Sequence, residues 1–245
     1  MRSNIFRETR IGFYVLTAIL AFSIVFYFLV SMFVSMGYKG YKDAKESNST
    51  TVNNQKNILI DPGHGGEDPG ASENDIIEKH LNLDVSLKLN SFLTGAGYST
   101  FLTRTEDKLL YKQGEENRKK FFDLRNREEI ANTYENSLFV SIHMNKFPAS
   151  YCKGLQTFYS ENNPESKIIA NSVQENIRFL QTDNKRAIKS GNQTIYLLEK
   201  LQMPAVLIEC GFVSNPEEAK LLINEDYQKA LALSIYCGIA EYLEN

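Results

Sequence analysis

From Ile11 to Met36 the chain runs 26 residues without a charged side chain, and no other feature constrains its folding as strongly. About 20 apolar residues suffice to cross a bilayer as a helix. The run is apolar on every helical face, which suits lipid better than one side of a water-facing core. Arg2, Arg7 and Arg10 precede it against one acid, Glu8. The positive-inside bias therefore predicts residues 1–10 in the cytoplasm and everything beyond Met36 outside. A cleaved signal peptide has a shorter apolar region, about 7–15 residues, and only Ser35 and Gly37 suggest a small-residue cut site. The expectation is an uncleaved transmembrane helix over 11–36, with secretion by cleavage as the alternative. Lys, Ser, Thr and Asn dominate Tyr38 to Lys56, a composition that predicts a polar linker over 37–56.

Residues 57–245 remain, a length that fits one domain, and no internal repeat divides them. Removing residues 1–36 takes three Arg and one Glu from 27 basic and 30 acidic side chains, leaving a charge of −5. A nucleic-acid partner calls for the opposite sign. Three Cys form no disulfide framework and leave at least one thiol unpaired within the monomer.

Short apolar runs at 58–60, 99–102, 138–142, 155–159, 194–198 and 205–208 read as strands. Between them, Glu78 to Leu93 carries Leu81, Val85, Leu89 and Phe92 at helical spacing, and Glu165 to Leu180 carries Ile169, Val173, Ile177 and Leu180. Asn163-Pro164 reads as the start of the second helix. Asn215, Pro216 and Glu218 supply cap, first residue and capping-box acid for another, and a last helix spans about Tyr227 to Leu243. The alternation predicts an α/β fold: one twisted, mostly parallel sheet of about six strands flanked by helices on both faces.

Candidate chemistry collects at strand ends. Asp61-Pro62-Gly63-His64-Gly65-Gly66 places a histidine in a glycine-rich turn after the first strand, where open α/β sheets carry their sites. The loop matches neither GxGxxG nor a phosphate-binding P-loop. His143 ends the run from Leu138 to Ile142, so two imidazoles sit at equivalent strand ends. Two His and one carboxylate form the zinc set of hydrolases, with a fourth position for water. Glu78, at the start of the first helix, can supply the carboxylate, and His80 is its rival. At about 100° per residue, positions 78 and 80 cannot both face one ion. Glu209 ends the apolar strand beginning at Ala205, and a buried carboxylate there asks for a partner or a task. The alternatives are a salt bridge to an Arg and a general base. Cys210, next along the strand, points the opposite way, into packing.

These residues resemble the zinc-dependent N-acetylmuramoyl-L-alanine amidases of the bacterial cell wall. The landmarks run in order: the Asp61 to Gly70 loop, Glu78 with Asn82, Leu102-Thr103-Arg104, Arg127 with Ala131-Asn132, Ser141 to Asn145, and Glu209 to Asn215. The resemblance covers essentially all of residues 57–245. It implies that His64, Glu78 and His143 bind Zn2+ and that Glu209 is catalytic, moving a proton from an attacking water to the leaving amine of L-alanine. It returns His80 to the helix surface. It implies peptidoglycan as substrate, with an architecture that resembles the germination-specific amidases of spore formers, which remove stem peptides from spore cortex for muramic-lactam formation. Asn162 to Asn192 has room for one core helix and no occluding insertion, so an activating accessory protein is the expected control. Arg127 and Asn145 match family positions without an assigned role. A wall polysaccharide deacetylase is disfavoured because its Asp-Asp-Gly-Pro and His-x-x-x-His patterns are absent. An inactive peptidoglycan-binding module is disfavoured because all four site residues are present.

Overall fold

Ile58, Leu59 and Ile60 are all fully buried, which a strand achieves only with both sheet faces covered. The computed structural model describes residues 56–244. The transmembrane helix and nearly all of the linker expected from sequence lie outside them. Among the described residues no helix is long and apolar enough to cross a membrane.

In chain order the strands are β1 (Asn57–Pro62), β2 (Ser72–Glu73), β3 (Ile76–Ile77), β4 (Thr100–Leu102), β5 (Ser137–Asn145), β6 (Gln156–Tyr159), β7 (Lys189–Ser190) and β8 (Ala205–Phe212). The helices are α1 (Glu78–Gly95), α2 (Lys119–Asn132), α3 (Glu165–Asn176), α4 (Tyr196–Lys200), α5 (Pro216–Leu222) and α6 (Glu225–Glu244). Six strands form one sheet in the order β4-β1-β5-β8-β6-β7. Every neighbouring pair is parallel except β6 with β8. The expected α/β architecture is therefore present.

Alternation along the central strands assigns each residue to one of two cores. Ile58 and Ile60 of β1, Val140 and Ile142 of β5, and Val206 and Ile208 of β8 pack under α1, α3 and α6. Each such buried aliphatic contributes about 1.5–3 kcal/mol of hydrophobic stabilisation. Leu59, Phe139, Ala205 and Leu207 face the other way, beneath Ala131 of α2 and Leu197 and Leu198 of α4.

Three sequence expectations need correction. The run at 194–198 is not a strand: Ile195 is extended, but Tyr196–Lys200 is a short helix. Leu197 and Leu198 are consecutive and both buried in the same core, whereas neighbours along a strand point to opposite faces. The edge position beside β6 goes to β7 instead. The second helix stops at Asn176 and tightens into a 3-10 turn over Ile177–Phe179. Asn215 does cap α5, its Oδ1 accepting from the amides of Glu217 and Glu218. Glu218 closes no capping box, because its carboxylate accepts from Phe212 N and Gly154 N, each at 2.8 Å.

Candidate metal centre

Three segments distant in sequence meet at the carboxyl ends of β1 and β5. The β2–β3 hairpin turns through Asn74 and Asp75, both at positive φ (46° and 66°), as a two-residue hairpin turn requires. It delivers the chain directly into Glu78, the first residue of α1. Ile77 provides no side-chain cap. The loop caps the helix instead: Glu78 N donates to Ala71 O at 2.9 Å, and Lys79 N to Pro69 O at 3.1 Å. Helix entry and glycine loop are thus fastened together, and the Glu78 side chain turns back over the loop.

His64 Nε2, Glu78 Oε1 and His143 Nδ1 converge. The His64–Glu78 separation is 3.3 Å and the His143–Glu78 separation is 2.9 Å. The three residues offer ligand atoms all within 4.8 Å of one another, an arrangement able to hold a metal ion. Glu78 Oε1 also accepts from Met144 N (3.1 Å) and Asn82 Nδ2 (3.2 Å), and Oε2 accepts from Ala71 N at 2.6 Å. Burial alone would raise the Glu78 pKa, but its bonds to His143 and His64 hold it below the usual carboxylate range. Burial opposes charge on His64 too, yet Asp68 and Glu78 outweigh it and raise its pKa to about 9. Two glycines make room. A Cβ on Gly63 would stand 2.2 Å from the His143 ring, and one on Gly70 would stand 2.5 Å from Glu78 Oε2.

His80 does not join the cluster. Its ring is exposed, 3.5 Å from Asp107 on the outer side of α1, as the angle between positions 78 and 80 requires. Glu209 pairs in register with His143 across β5 and β8, so both side chains rise on the same sheet face. Its Oε2 is enclosed without a hydrogen-bond partner among the described residues, and no Arg pairs with it. Burial raises its pKa to about 7; His143 and His64 oppose the shift and Glu78 adds to it. The register with β8 shifts between His143 and Asn145, where β8 spends one more residue than β5 beside the cluster. Cys210 is fully buried on the opposite face, as expected.

Beneath the imidazoles lies a buried polar layer. Arg127 Nη1 donates to Asp61 Oδ1 at 2.5 Å, and its Nε donates to Asp123 at 2.8 Å. Its Nη2 donates to the carbonyl of His64 at 2.7 Å. That carbonyl belongs to a non-glycine residue at φ 60°. Arg104 adds bonds to Pro62 O and Gly63 O, both at 2.9 Å. Thr103 and Ser141 complete the shell of Asp61. The two guanidiniums hold three successive loop carbonyls, a function the sequence reading left unassigned to Arg127 and did not consider for Arg104. Asp68 also went unassigned: it meets His64 Nδ1 at 2.7 Å, and its position four residues after the histidine across Gly65-Gly66 was the available signal. A cavity of about 50 Å³ opens against His64 and His143, bordered by Asp68, Lys120, Leu124 and Leu197.

The donor set fits a borderline-soft divalent ion: two imidazoles, one carboxylate, and a cradle that a Cβ on either nearby glycine would fill.

Comparison with known proteins identifies the family. A family model described as N-acetylmuramoyl-L-alanine amidase matches residues 58–241. The germination-specific N-acetylmuramoyl-L-alanine amidase of Bacillus subtilis is 38% identical over 76% of this chain and 79% of its own length. The CwlD amidase of Clostridioides difficile, solved in complex with the GerS lipoprotein, superposes with a TM-score of 0.74. It is 41% identical, over 78% of this chain and 99% of that one. An N-acetylmuramoyl-L-alanine amidase of Clostridium difficile 630 superposes at 0.69 with 33% identity, over 78% of this chain and 98% of that one. The chain belongs to the N-acetylmuramoyl-L-alanine amidase family, and it is an amide hydrolase of peptidoglycan.

Proposed function

We propose that this enzyme is zinc-dependent, with His64, Glu78 and His143 as the metal ligands and Glu209 as the catalytic acid–base. The observation that carries the reading is the convergence of two imidazoles and a fully hydrogen-bonded carboxylate beside a carboxylate with an enclosed, unpaired oxygen. Zinc held by these residues supplies Lewis acidity toward water and toward a carbonyl oxygen. Glu209 takes a proton from the attacking water. The water oxygen adds to the lactyl carbonyl carbon of N-acetylmuramic acid, the carbon–nitrogen bond breaks, and Glu209 passes the proton to the departing amine of L-alanine. The Glu78 carboxylate stays ionised throughout, held by Ala71 N, Met144 N and Asn82.

The test is Glu209→Gln. Its expected outcome is retained zinc with stem-peptide release reduced by roughly 10²–10⁴. Normal release from purified glycan would overturn the assignment.

The reading extends to context. Residues 57–245 form the catalytic domain, residues 11–36 anchor it in the membrane with residues 1–10 inside, and 37–56 tether it on the outer side. The likeness to a germination-specific amidase supports spore cortex as the substrate, with stem-peptide removal preparing muramic-lactam formation. The complex that the C. difficile relative forms with a lipoprotein supports an activating accessory protein here. Mass spectrometry of muropeptides from cortex and from vegetative wall decides the first point: products confined to vegetative wall would contradict it. Stem-peptide release by the isolated, zinc-loaded enzyme that a lipoprotein partner leaves unchanged would contradict the second.

A further inference from the structure

The two imidazoles of the cluster are held differently. His143 turns Nδ1 toward Glu78, and its Nε2 edge lies over Gly63. His64 turns Nε2 toward Glu78, and its Nδ1 meets Asp68 Oδ2 at 2.7 Å. The backbone makes that contact possible: Gly65 and Asp68 exchange two hydrogen bonds, N to O at 3.0 and 2.9 Å, folding residue 68 back over residue 64. Asp68 is itself secured. Lys120 Nζ stands 3.4 Å from Oδ2, and the carboxylate side chain is only 15% exposed.

We propose that Asp68 is a positioning residue for the metal centre: its carboxylate accepts the Nδ1–H of His64, fixing the tautomer that leaves Nε2 bare toward the ion. An imidazole presents a lone pair at one nitrogen only when its proton sits on the other, and a charged acceptor at Nδ1 keeps the proton there. The same bond fixes the ring plane and raises the electron density available at Nε2. His64 needs that restraint because it sits in a glycine-rich loop at φ 60°, whereas His143 projects from a strand within the sheet. Lys120 acts one step further out, its ammonium standing against Asp68 Oδ2 and helping to hold the carboxylate in place.

The inference rests on the zinc reading, and the experiment separates the two. Zinc affinity of the full-length chain in detergent is measured by competition with a chromogenic chelator. The variants are Asp68→Ala, Asp68→Asn, Lys120→Ala and His64→Ala, each with the melting temperature of its metal-free form. Loss of the partner carboxylate is expected to weaken zinc binding about 10- to 100-fold in Asp68→Ala, in line with other outer partners of metal-ligating histidines. Asp68→Asn, which keeps a neutral acceptor, falls between it and wild type, and Lys120→Ala shows a smaller loss. The metal-free melting temperatures stay close to wild type, which a merely structural role for Asp68 would not give. Hydrogen exchange of the His64 Nδ1–H in the zinc form, slow in wild type, becomes fast in Asp68→Ala. Wild-type affinity in both Asp68 variants alongside weak binding by His64→Ala overturns the role of Asp68 and leaves the zinc reading standing. No zinc binding by the wild-type chain overturns both.

Discussion

The two faces of the sheet are built from the same strands and do different work. On the face under α1, α3 and α6, β1, β5 and β8 contribute Ile58, Ile60, Leu138, Val140, Ile142, Val206, Ile208 and Cys210, all at 0% exposure. On the face under α2 and α4 the rows change character along the strand. The first row is Leu59, Phe139 and Ala205, the second Asp61, Ser141 and Leu207, and the third joins His143 to Glu209. Along these three strands the first face is apolar, and its free energy is hydrophobic. The second grades from oil to ions over roughly three residue pairs, and its free energy depends on each charge keeping its partner. Stability and chemistry therefore share a backbone and separate by side-chain parity.

That separation can be broken from either side. Arg127→Ala is the severest change, because Asp61 and Asp123 are left buried without their cation. Loss of one member of a buried pair costs about 3–5 kcal/mol. Denaturant unfolding should show that loss together with weakened zinc binding, since the His64 carbonyl is released. Ile142→Ala on the apolar face is expected to cost about 2–5 kcal/mol. Its folded fraction should bind zinc and release peptide as wild type does, although its neighbour His143 is a proposed ligand. Equal effects of the two substitutions on zinc binding would abolish the distinction between faces.

Acid sensitivity sharpens the comparison. Burial would raise the pKa of Asp61, but Arg127, Thr103 and Ser141 more than offset it and hold the carboxyl below its ordinary value. A folded pKa below the unfolded one contributes stability that is complete above the unfolded value, about 3.9. It is lost as pH falls from there through the folded pKa. Unfolding titrations between pH 5 and 2 should therefore show a steep acid limb that Asp61→Asn flattens at the cost of neutral-pH stability. An unchanged limb in that variant would place the acid-labile group elsewhere. His80→Ala is the smallest effect: an exposed ring outside the cluster, expected to change stability by no more than about 0.5 kcal/mol and peptide release not at all.

Parity also explains what could be read before the fold was known. β1, β5 and β8 are continuous apolar runs, and α1 keeps Leu81, Val85 and Leu89 in helical register, so the sheet and the helix carrying Glu78 were legible. α2 was not, because its buried face is Asp123, Asn126, Arg127 and Ala131, residues without an apolar period. The polar layer hides for the same reason: Arg104, Arg127 and Asp61 look like surface charge until the topology pairs them. His64, Glu78, His143 and Glu209 could be nominated from strand ends and helix start. Spacing alone left Glu78 and His80 as rivals and the family resemblance chose Glu78; the fold turns Glu78 toward His143 and His80 toward Asp107.

The central claim is that an ion held by His64, Glu78 and His143 enables the hydrolysis. The most direct test is metal analysis of dialysed full-length enzyme, run in parallel with stem-peptide release before chelation, after chelation and after zinc is returned. The account predicts one zinc per chain, activity lost with the ion and regained with it, and neither in a His143→Ala chain. Undiminished release by a preparation that contains no metal would contradict it.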